Sequence, residues 1–375
     1  MRIAIDGTML ARGGGLTGLV NVLESWRDCA IPVECTVYVS RSEVLQELAS
    51  LPGNHKVVPF ALDLGGQKVF LRRQTVLGKQ IEQSRAQVIL TTNSMVGRTQ
   101  VPQVVHHQNV LWFLPTNFFA KLRSEGLVPA LRYKAWAIAA RKALKKSKAN
   151  IFVSAYLQRL AEQCLPASAS RNWVVHNGLS KKALAALDFD SAAVAGPHIA
   201  AITSPNPHKE NDLLIKTLKQ LTVLAPGIDW QLKVAGKGNY NAEKQLASDL
   251  GVAERVTWLG FLSEAELDRL LRSSLCLLFP SSIEAFGNPP LEAMARKCPV
   301  VACDGTAISE VCGDAAILVP PRDCKQLAAA IDRYRQDEFM RRDKVERGLK
   351  RVLDFSWERN AQRIHDVCQR VAEGA

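Results

Sequence analysis

The feature that most constrains this chain is an alternation running through its whole length: short apolar runs of strand size, separated by helix-length intervals. In the first half the runs are Arg2–Ile5, Cys35–Val39, Val88–Leu90, Val104–Val105, Asn150–Val153 and Trp173–Val175. In the second half they are His198–Thr203, Gln231–Ala235, Val256–Leu259, Leu275–Phe279, Val300–Ala302 and Ile317–Val319. Strands spaced this way need crossover connections, so the pattern predicts parallel sheets assembled from βαβ units. At 375 residues the chain exceeds one ordinary core, and two α/β domains are expected. The expected boundaries are residues 1–180, a linker at 181–197 rich in Ala, Ser and Asp, and residues 198–354. A last helix, 357–375, follows a break at Asp354-Phe355-Ser356 and is expected to pack back on the N-terminal domain. Two such domains facing each other make a cleft at the carboxyl ends of their strands, where ligands of these folds bind.

A hydrophobic content of 47% with 22% charged residues fits a soluble globular protein. The opening Met-Arg-Ile-Ala-Ile-Asp reads as a buried strand rather than a signal peptide, and no run of about 18 apolar residues suggests a membrane span. Nine cysteines, an odd number without a C-x-x-C pair, argue against a disulfide framework or a zinc site and fit a reducing cytoplasm. Cys276, Cys298 and Cys303 lie among apolar neighbours and read as packing. The net charge of +12 calls for a reason. Between Glu125 and Glu162 there is no acid, while Arg132, Lys134, Arg141, Lys142, Lys145, Lys146, Lys148 and Arg159 interleave with Leu131, Tyr133, Trp136 and Ile138. Residues 131–148 therefore read either as a solvated basic helix face or as a surface for anionic lipid headgroups or a phosphorylated acceptor. Nucleic acid is the least favoured partner, because no aromatic RNA-binding motif or zinc finger accompanies the charge.

The stretch Pro280-Ser-Ser-Ile-Glu-Ala-Phe-Gly-Asn-Pro-Pro-Leu-Glu-Ala-Met-Ala-Arg296 carries the most chemistry. An apolar strand, Leu275–Phe279, runs into a loop holding Glu284 and Gly287, and a helix then starts with prolines at its first positions. The free N–H groups and positive dipole end of that helix suit a diphosphate, and a glycine lets backbone approach it. Glu284 on the loop and Glu292, expected in the first helical turn, would accept hydrogen bonds from hydroxyls on either side. The competing reading is a capping Glu292 and a solvated Glu284.

The order of segments in this half resembles the family 4 retaining glycosyltransferases. Glu284-Ala-Phe-Gly-Asn-Pro-Pro-Leu-Glu292 looks like their E-x7-E signature, and Pro299 to Thr306, Glu310 to Ala316, Val234-Ala-Gly-Lys-Gly238, the Gly260-Phe261 turn and Val175-His-Asn-Gly178 resemble the family's other segments. The resemblance implies a GT-B fold: an α/β protein of two Rossmann-like domains whose parallel sheets face across a cleft. It implies a metal-independent retaining transferase without a cofactor, using a GDP-, UDP- or dTDP-linked sugar as donor. Glu292 would bind the nucleotide ribose. Glu284, with the backbone of Phe286, Gly287 and Asn288, would hold the donor sugar. Lys209, in Asn206-Pro-His-Lys-Glu-Asn, matches the basic residue that contacts the diphosphate, where a fixed cation offsets charge growing on the leaving group. Gly236, Lys237 and Leu291 fall in the matching donor segments. Many members carry an arginine where Ser204 stands, with His208 or the helix terminus available to compensate.

In the first half, Gly13-Gly-Gly-Leu-Thr-Gly18 matches G-x-G-x-x-G, but no strand leads directly into it and no carboxylate ends the second strand, so a dinucleotide is discounted. The family has a glycine-rich loop here, and Gly15 and Gly18 are its best matches, a plain flexible turn being the alternative. His106-His107-Gln108-Asn109 follows a strand, with Asn93 ending the one before. His107 is expected to be catalytic, and Asn93, Gln108 and Asn109 to lie on the acceptor side; a structural histidine is the alternative, and the alignment leaves open which of His107 and Gln108 faces the cleft. Neighbouring strand residues point to opposite faces, which excludes both histidines facing one metal. Asp188-Phe-Asp190 is a D-x-D without a buried strand leading into it and is not expected to bind metal. The expected function is transfer of a sugar to a glycan or lipid-linked glycan in bacterial surface-polysaccharide synthesis, in the cytoplasm or peripherally on the inner membrane face. A catalytically idle nucleotide-sugar-binding scaffold and a GT-B epimerase are the alternatives.

Overall fold

The computed structural model describes residues 1–11, 13–114, 127–179, 183–184 and 196–374, and the side chains within these except at 127–129 and 132. Most of the expected linker and the Asp188-Phe-Asp190 motif lie outside the described residues. Two compact units are present: residues 1–178 with 356–375, and residues 179–355.

The first unit is built on a seven-stranded parallel sheet in the order β3-β2-β1-β4-β5-β6-β7. Its strands are β1 (Arg2–Gly7), β2 (Glu34–Val39), β3 (His55–Pro59), β4 (Val88–Thr92), β5 (Gln103–His107), β6 (Ala149–Phe152) and β7 (Asn172–Val174). The second unit has a six-stranded parallel sheet, β10-β9-β8-β11-β12-β13. These strands are β8 (His198–Ile202), β9 (Gln231–Ala235), β10 (Val256–Gly260), β11 (Cys276–Phe279), β12 (Val300–Cys303) and β13 (Ala316–Val319). In each sheet the order reverses once, between β1 and β4 and between β8 and β11, and in doubly wound sheets such reversals are where loops part to admit a ligand.

Period-2 alternation sorts the core of the first unit. Ile3 and Ile5 of β1 join one cluster with Val37, Val39, Val88 and Leu90, whereas Ala4 faces the opposite cluster of Tyr38, Phe60, Leu77, Ile81 and Ile89. The helix Trp357–Ala372 completes the first of these, burying Trp357, Ala361, Ile364, Val367, Cys368 and Val371 there. Two long-range bonds tie it down: Trp26 Nε1 donates to the Ala361 carbonyl at 2.9 Å and Asn360 Nδ2 to that of His176 at 2.7 Å. Gly178 permits this closure, since a Cβ there would lie 2.2 Å from the Trp357 nitrogen. In the second unit the core gathers Ile199, Ile215, Leu218, Trp230, Leu232, Leu278, Val301 and Ile331. Cys276, Cys298 and Cys303 are buried thiols.

The structure adds one strand that the alternation does not announce. β3 offers only Val57 and Val58 as apolar residues, both half-buried, as expected of an edge strand. Between the helices Gly66–Arg72 and Gly78–Gln83 the chain makes a π-turn, Arg73–Leu77, that drives Arg73 into the interior at 1% exposure. Its guanidinium pairs with Asp6, which is equally buried, and donates to Ser94 Oγ at 2.9 Å and Thr91 Oγ1 at 2.8 Å. Thr8 and Thr91 also donate to the Asp6 carboxylate, so the buried charges are fully engaged.

Candidate functional site

In the second unit the loops after β8 and β11 meet at the strand-order reversal. After β8, Thr203 Oγ1 donates to Asn211 Oδ1 at 2.6 Å and Asn211 Nδ2 to the Ser204 carbonyl at 2.9 Å. A short 3-10 turn, Pro207–Lys209, then leads into the helix Asn211–Leu224 through Glu210, held in the left-handed region at φ 50°. That strained position is anchored: Glu210 is 6% exposed, accepts from Ser282 Oγ at 2.8 Å, and accepts twice from Arg322 Nη2 at 2.9 and 2.8 Å. Ser281 Oγ and the Ser282 N–H both donate to the His208 carbonyl at 3.1 Å. Stitched together in this way, the two loops bring Lys209 Nζ to 2.6 Å from Glu284 Oε1, with side chains 18% and 13% exposed. The ammonium also lies 5.4 Å from the centre of the Phe279 ring. Glu284 thus fixes the lysine in one place while leaving part of its charge open to a ligand.

The next helix is Asn288–Ala295, with Gly287 at its N-cap and proline in its first positions. Gly287 has φ 122°, and a Cβ there would lie 2.4 Å from Ile308 Cδ1. Because the helix opens at Asn288, Glu292 is its fifth residue and stands beyond the first turn, which contains no acid; the expected placement within that turn is corrected. Glu292 is half-buried, and burial, opposed by Arg296 and assisted by Glu264, raises its carboxyl to about 7. Asn288 is exposed. Phe286 is a core side chain, 4% exposed and edge-on to Phe355 with ring centres 5.6 Å apart, so any ligand contact there falls to its backbone. Leu291 is 1% exposed and its side chain points into the core, so any donor contact there falls to its backbone.

Gly236 brings the loops after β8, β9 and β10 together. Its N–H donates to the Gly260 carbonyl at 2.7 Å, and at φ 141° a Cβ would lie 1.9 Å from the Thr203 carbonyl oxygen. Lys237 is exposed beside it, and Ser204 Oγ accepts from Asn206 Nδ2 at 2.8 Å.

In the first unit a cavity of about 380 Å³ opens beyond the carboxyl ends of β1, β4 and β5, bordered by Gly13, Gly14 and Gly15, Asn93, Gln108, Asn109, Trp112 and Trp136. Gly13, at φ 134°, caps the helix Gly14–Asp28. A Cβ on Gly15 would stand 3.2 Å from Leu10 and 3.5 Å from Gln108 Oε1, and one on Gly18 would stand 3.6 Å from Trp357. Asn93, at φ 59°, accepts from the Gln108 N–H at 2.9 Å, and Asn109 Oδ1 accepts from the Leu111 N–H at 3.0 Å, capping the turn Val110–Phe113.

The catalytic expectation for His107 is overturned. Its side chain is fully buried, stacked on Phe152 with ring centres 4.9 Å apart and edge-on to Phe113 at 5.3 Å. Nε2 lies 3.1 Å from Asn150 Oδ1, and burial lowers the imidazole to about 4. The alternation sends His106 to the other face, where its Nδ1 is 3.3 Å from Gln108 Nε2 and it borders a small cavity with Gly15 and Gly18; burial lowers it to about 3. Gln108 is therefore the residue of this pair that reaches the larger cavity. The sequence reading also missed Glu210 and Arg322, Asp6 and Arg73, and the indole of Trp112. Glu210, adjoining Lys209, and Asp6, closing the opening strand, stood inside segments already singled out.

Residues 127–146 form one helix whose inner side buries Ala137, Ala140, Ala143 and Leu144. Leu131 and Ile138 are exposed at 64% and 60%, alongside exposed Lys134, Lys142, Lys145 and Lys146. Among the described residues no helix is long and apolar enough to cross a membrane.

Residues 196–351 match the family model described as Glycosyl transferases group 1. O-antigen chain mannosyltransferase B of Escherichia coli is 36% identical over 103 residues, covering 28% of this chain and 27% of that protein. The O-antigen chain mannosyltransferase RfbU of Salmonella typhimurium is 31% identical over 164 residues, 44% of each. The chain thus spans less than half the length of these curated relatives. Among solved structures, a glycosyltransferase from Rickettsia africae superposes with a TM-score of 0.76 at 15% identity, covering 100% of this chain and 99% of that one. HepE of Anabaena, in complex with UDP and glucose, gives 0.71 at 19% identity with 98% of each chain covered. WaaG, a glycosyltransferase involved in lipopolysaccharide biosynthesis, gives 0.71 at 15% identity, covering 98% of this chain and 99% of its own. At these identities the likeness establishes the fold, two Rossmann-like units of the GT-B class.

Proposed function

We propose that the protein transfers a sugar from a nucleotide-diphosphate donor to a glycan or lipid-linked glycan, a reading supported by the match of residues 196–351 to the glycosyl transferases group 1 model and by the GT-B fold. The observation that carries this reading is the Lys209–Glu284 pair, set at 2.6 Å on the two loops that flank the strand-order reversal. A donor diphosphate lying there would meet the ammonium and the amino end of the helix Asn288–Ala295 together, two sources of positive potential. Glu292 would accept from the ribose hydroxyls, Glu284 would hold the sugar, and the backbone at Gly287 and Asn288 would lie beneath it. Gly236, Lys237 and Ser204 would border the nucleotide.

The reaction is proposed to retain anomeric configuration by a front-face route that needs neither metal nor cofactor. The bond from sugar C1 to the diphosphate oxygen breaks, the acceptor oxygen bonds C1 from the same side, and the acceptor's proton passes to the departing phosphate. Lys209 would stabilise the charge left on that phosphate. Lys209→Ala and Glu284→Ala are each expected to lower turnover by at least about tenfold, the scale for losing one transition-state contact. Near-normal turnover in both purified variants would overturn these roles. A thermal-shift screen of UDP-, GDP- and dTDP-sugars identifies the donor beforehand, and two mannosyltransferases among the relatives place a mannose donor first in it.

The acceptor side is proposed to work against the inner face of a bacterial membrane, in surface-polysaccharide assembly. Support comes from the helix Leu127–Lys146, whose outer face combines exposed Leu131 and Ile138 with four exposed lysines. The protein is expected to float with liposomes containing phosphatidylglycerol and not with neutral ones; indifference to lipid charge would refute membrane docking through this face.

A further inference from the structure

The cavity in the first unit has a wall that the donor chemistry does not use. Trp112 and Trp136 lie side by side with ring centres 6.1 Å apart and planes 28° from parallel. Both indoles are held by further rings, Trp112 by Tyr133 at 5.6 Å and Trp136 by Phe70 at 5.6 Å. Each is only half-buried. What they border is open: a Cβ built on Gly13 or Gly14, on another part of the rim, would meet nothing within 4 Å.

The polar part of the border includes the carboxamides of Asn93, Gln108 and Asn109, beside Thr92 and Asp6. Asn93 is fixed by its bond to the Gln108 N–H, and the Gln108 side-chain nitrogen lies 3.3 Å from His106 Nδ1, so both carboxamides are oriented before any ligand arrives. Among the described residues lining the cavity, Asp6 is the one that carries a formal charge, and Arg73, Thr8 and Thr91 already engage its carboxylate. At about 380 Å³ the space suits a small ligand. A flat aromatic wall attracts the partly positive C–H face of a pyranose, and fixed amides read its hydroxyls. Among the described lining residues a phosphate dianion would meet a carboxylate and indole faces and no lysine or arginine, a lining that favours a neutral sugar.

We propose that Trp112 is the stacking platform of an acceptor subsite that takes an unphosphorylated hexopyranose, with Trp136 and Gln108 fixing its position. This rests on the glycosyltransferase reading for the word acceptor; the sugar site itself is testable without turnover. Saturation-transfer NMR titrations on the full chain, using methyl glycosides of mannose, glucose, galactose, rhamnose and N-acetylglucosamine, are expected to find at least one binder. Trp112→Ala should weaken that binder at least about tenfold, whereas Trp112→Phe, which keeps a ring, should stay within about threefold. The 6-phosphate of the bound hexose should bind more weakly than its methyl glycoside. Should no glycoside bind, should the 6-phosphate bind more tightly, or should a folded Trp112→Ala variant bind as the wild type does, the subsite is refuted. If Trp112→Ala fails to fold, Trp112→Phe and Gln108→Ala decide: an unchanged dissociation constant in Gln108→Ala together with at least tenfold loss in Trp112→Phe contradicts the assignment. The donor thermal-shift screen on the wild-type chain tests nucleotide-sugar binding rather than this subsite, so failure there strikes the transferase reading and leaves this titration interpretable.

Discussion

Glu292 is held in a setting that makes its proton matter. Burial raises the carboxyl from 4.5 to about 7, so below about pH 4.5 both folded and unfolded chains carry the proton and the group is neutral to stability. As pH rises from there to 7 the unfolded chain releases its proton first, and stability falls; above 7 the loss is complete, on the order of 3 kcal/mol. Glu292→Gln should therefore melt higher than the wild type at pH 8 and match it near pH 4.5, as read by calorimetry. If its carboxylate accepts from a ribose, nucleotide binding should tighten between pH 6 and 8 with proton release, measurable by titration calorimetry in buffers of different ionisation enthalpy. The pair Asp6–Arg73 makes the opposite case, two buried charges that satisfy each other. Arg73→Met is expected to cost about 3–5 kcal/mol in denaturant unfolding by stranding Asp6, and Asp6→Asn combined with it should cost less than the two changes summed. At this scale legibility was uneven. Lys209 and Glu284, 75 residues apart, could be named from local chemistry and resemblance, yet their contact is a property of the fold. His107 misled because alternation says that neighbours part without saying which way each goes. Leu291 shows that a motif also includes residues whose side chains fill the core.

At the scale of elements, the parallel sheets were readable because strands buried on both faces stay apolar along their length, as β11 and β12 do. β3 escaped because an edge strand needs few apolar residues, and the π-turn at Arg73–Leu77 escaped because nothing local marks an arginine for the interior. The turn after β9 is the more consequential element. With a Cβ on Gly236 only 1.9 Å from the Thr203 carbonyl and φ at 141°, Gly236→Ala must displace the loop after β8, which also carries Lys209. A loss of at least about 2 kcal/mol in stability is expected, together with weakened nucleotide-sugar binding in the thermal-shift assay. An alanine variant that melts and binds normally would mean that this loop is free to yield.

At the scale of the molecule, the chain leaves the first unit at Gly178, builds the second from residues 179–355, and returns for its last helix. The sequence marks that return by a break before residue 357 and an expected packing of the last helix on the first unit; the cluster it completes, with Trp26 bonded to Ala361, is a long-range fact. Removing residues 356–375 should expose Ile3, Val22, Leu90 and their neighbours and leave a chain that aggregates, as judged by size-exclusion chromatography. The same path fixes a timetable on the ribosome. The second unit is one uninterrupted stretch and can close as soon as it emerges, whereas the first, though translated earlier, waits for a helix made after the second unit. Of the two units, the one translated first is thus the later to mature. Nascent chains stalled before Trp357 should hold a protease-resistant second unit behind a digestible first one, and early resistance of the first would disprove the order.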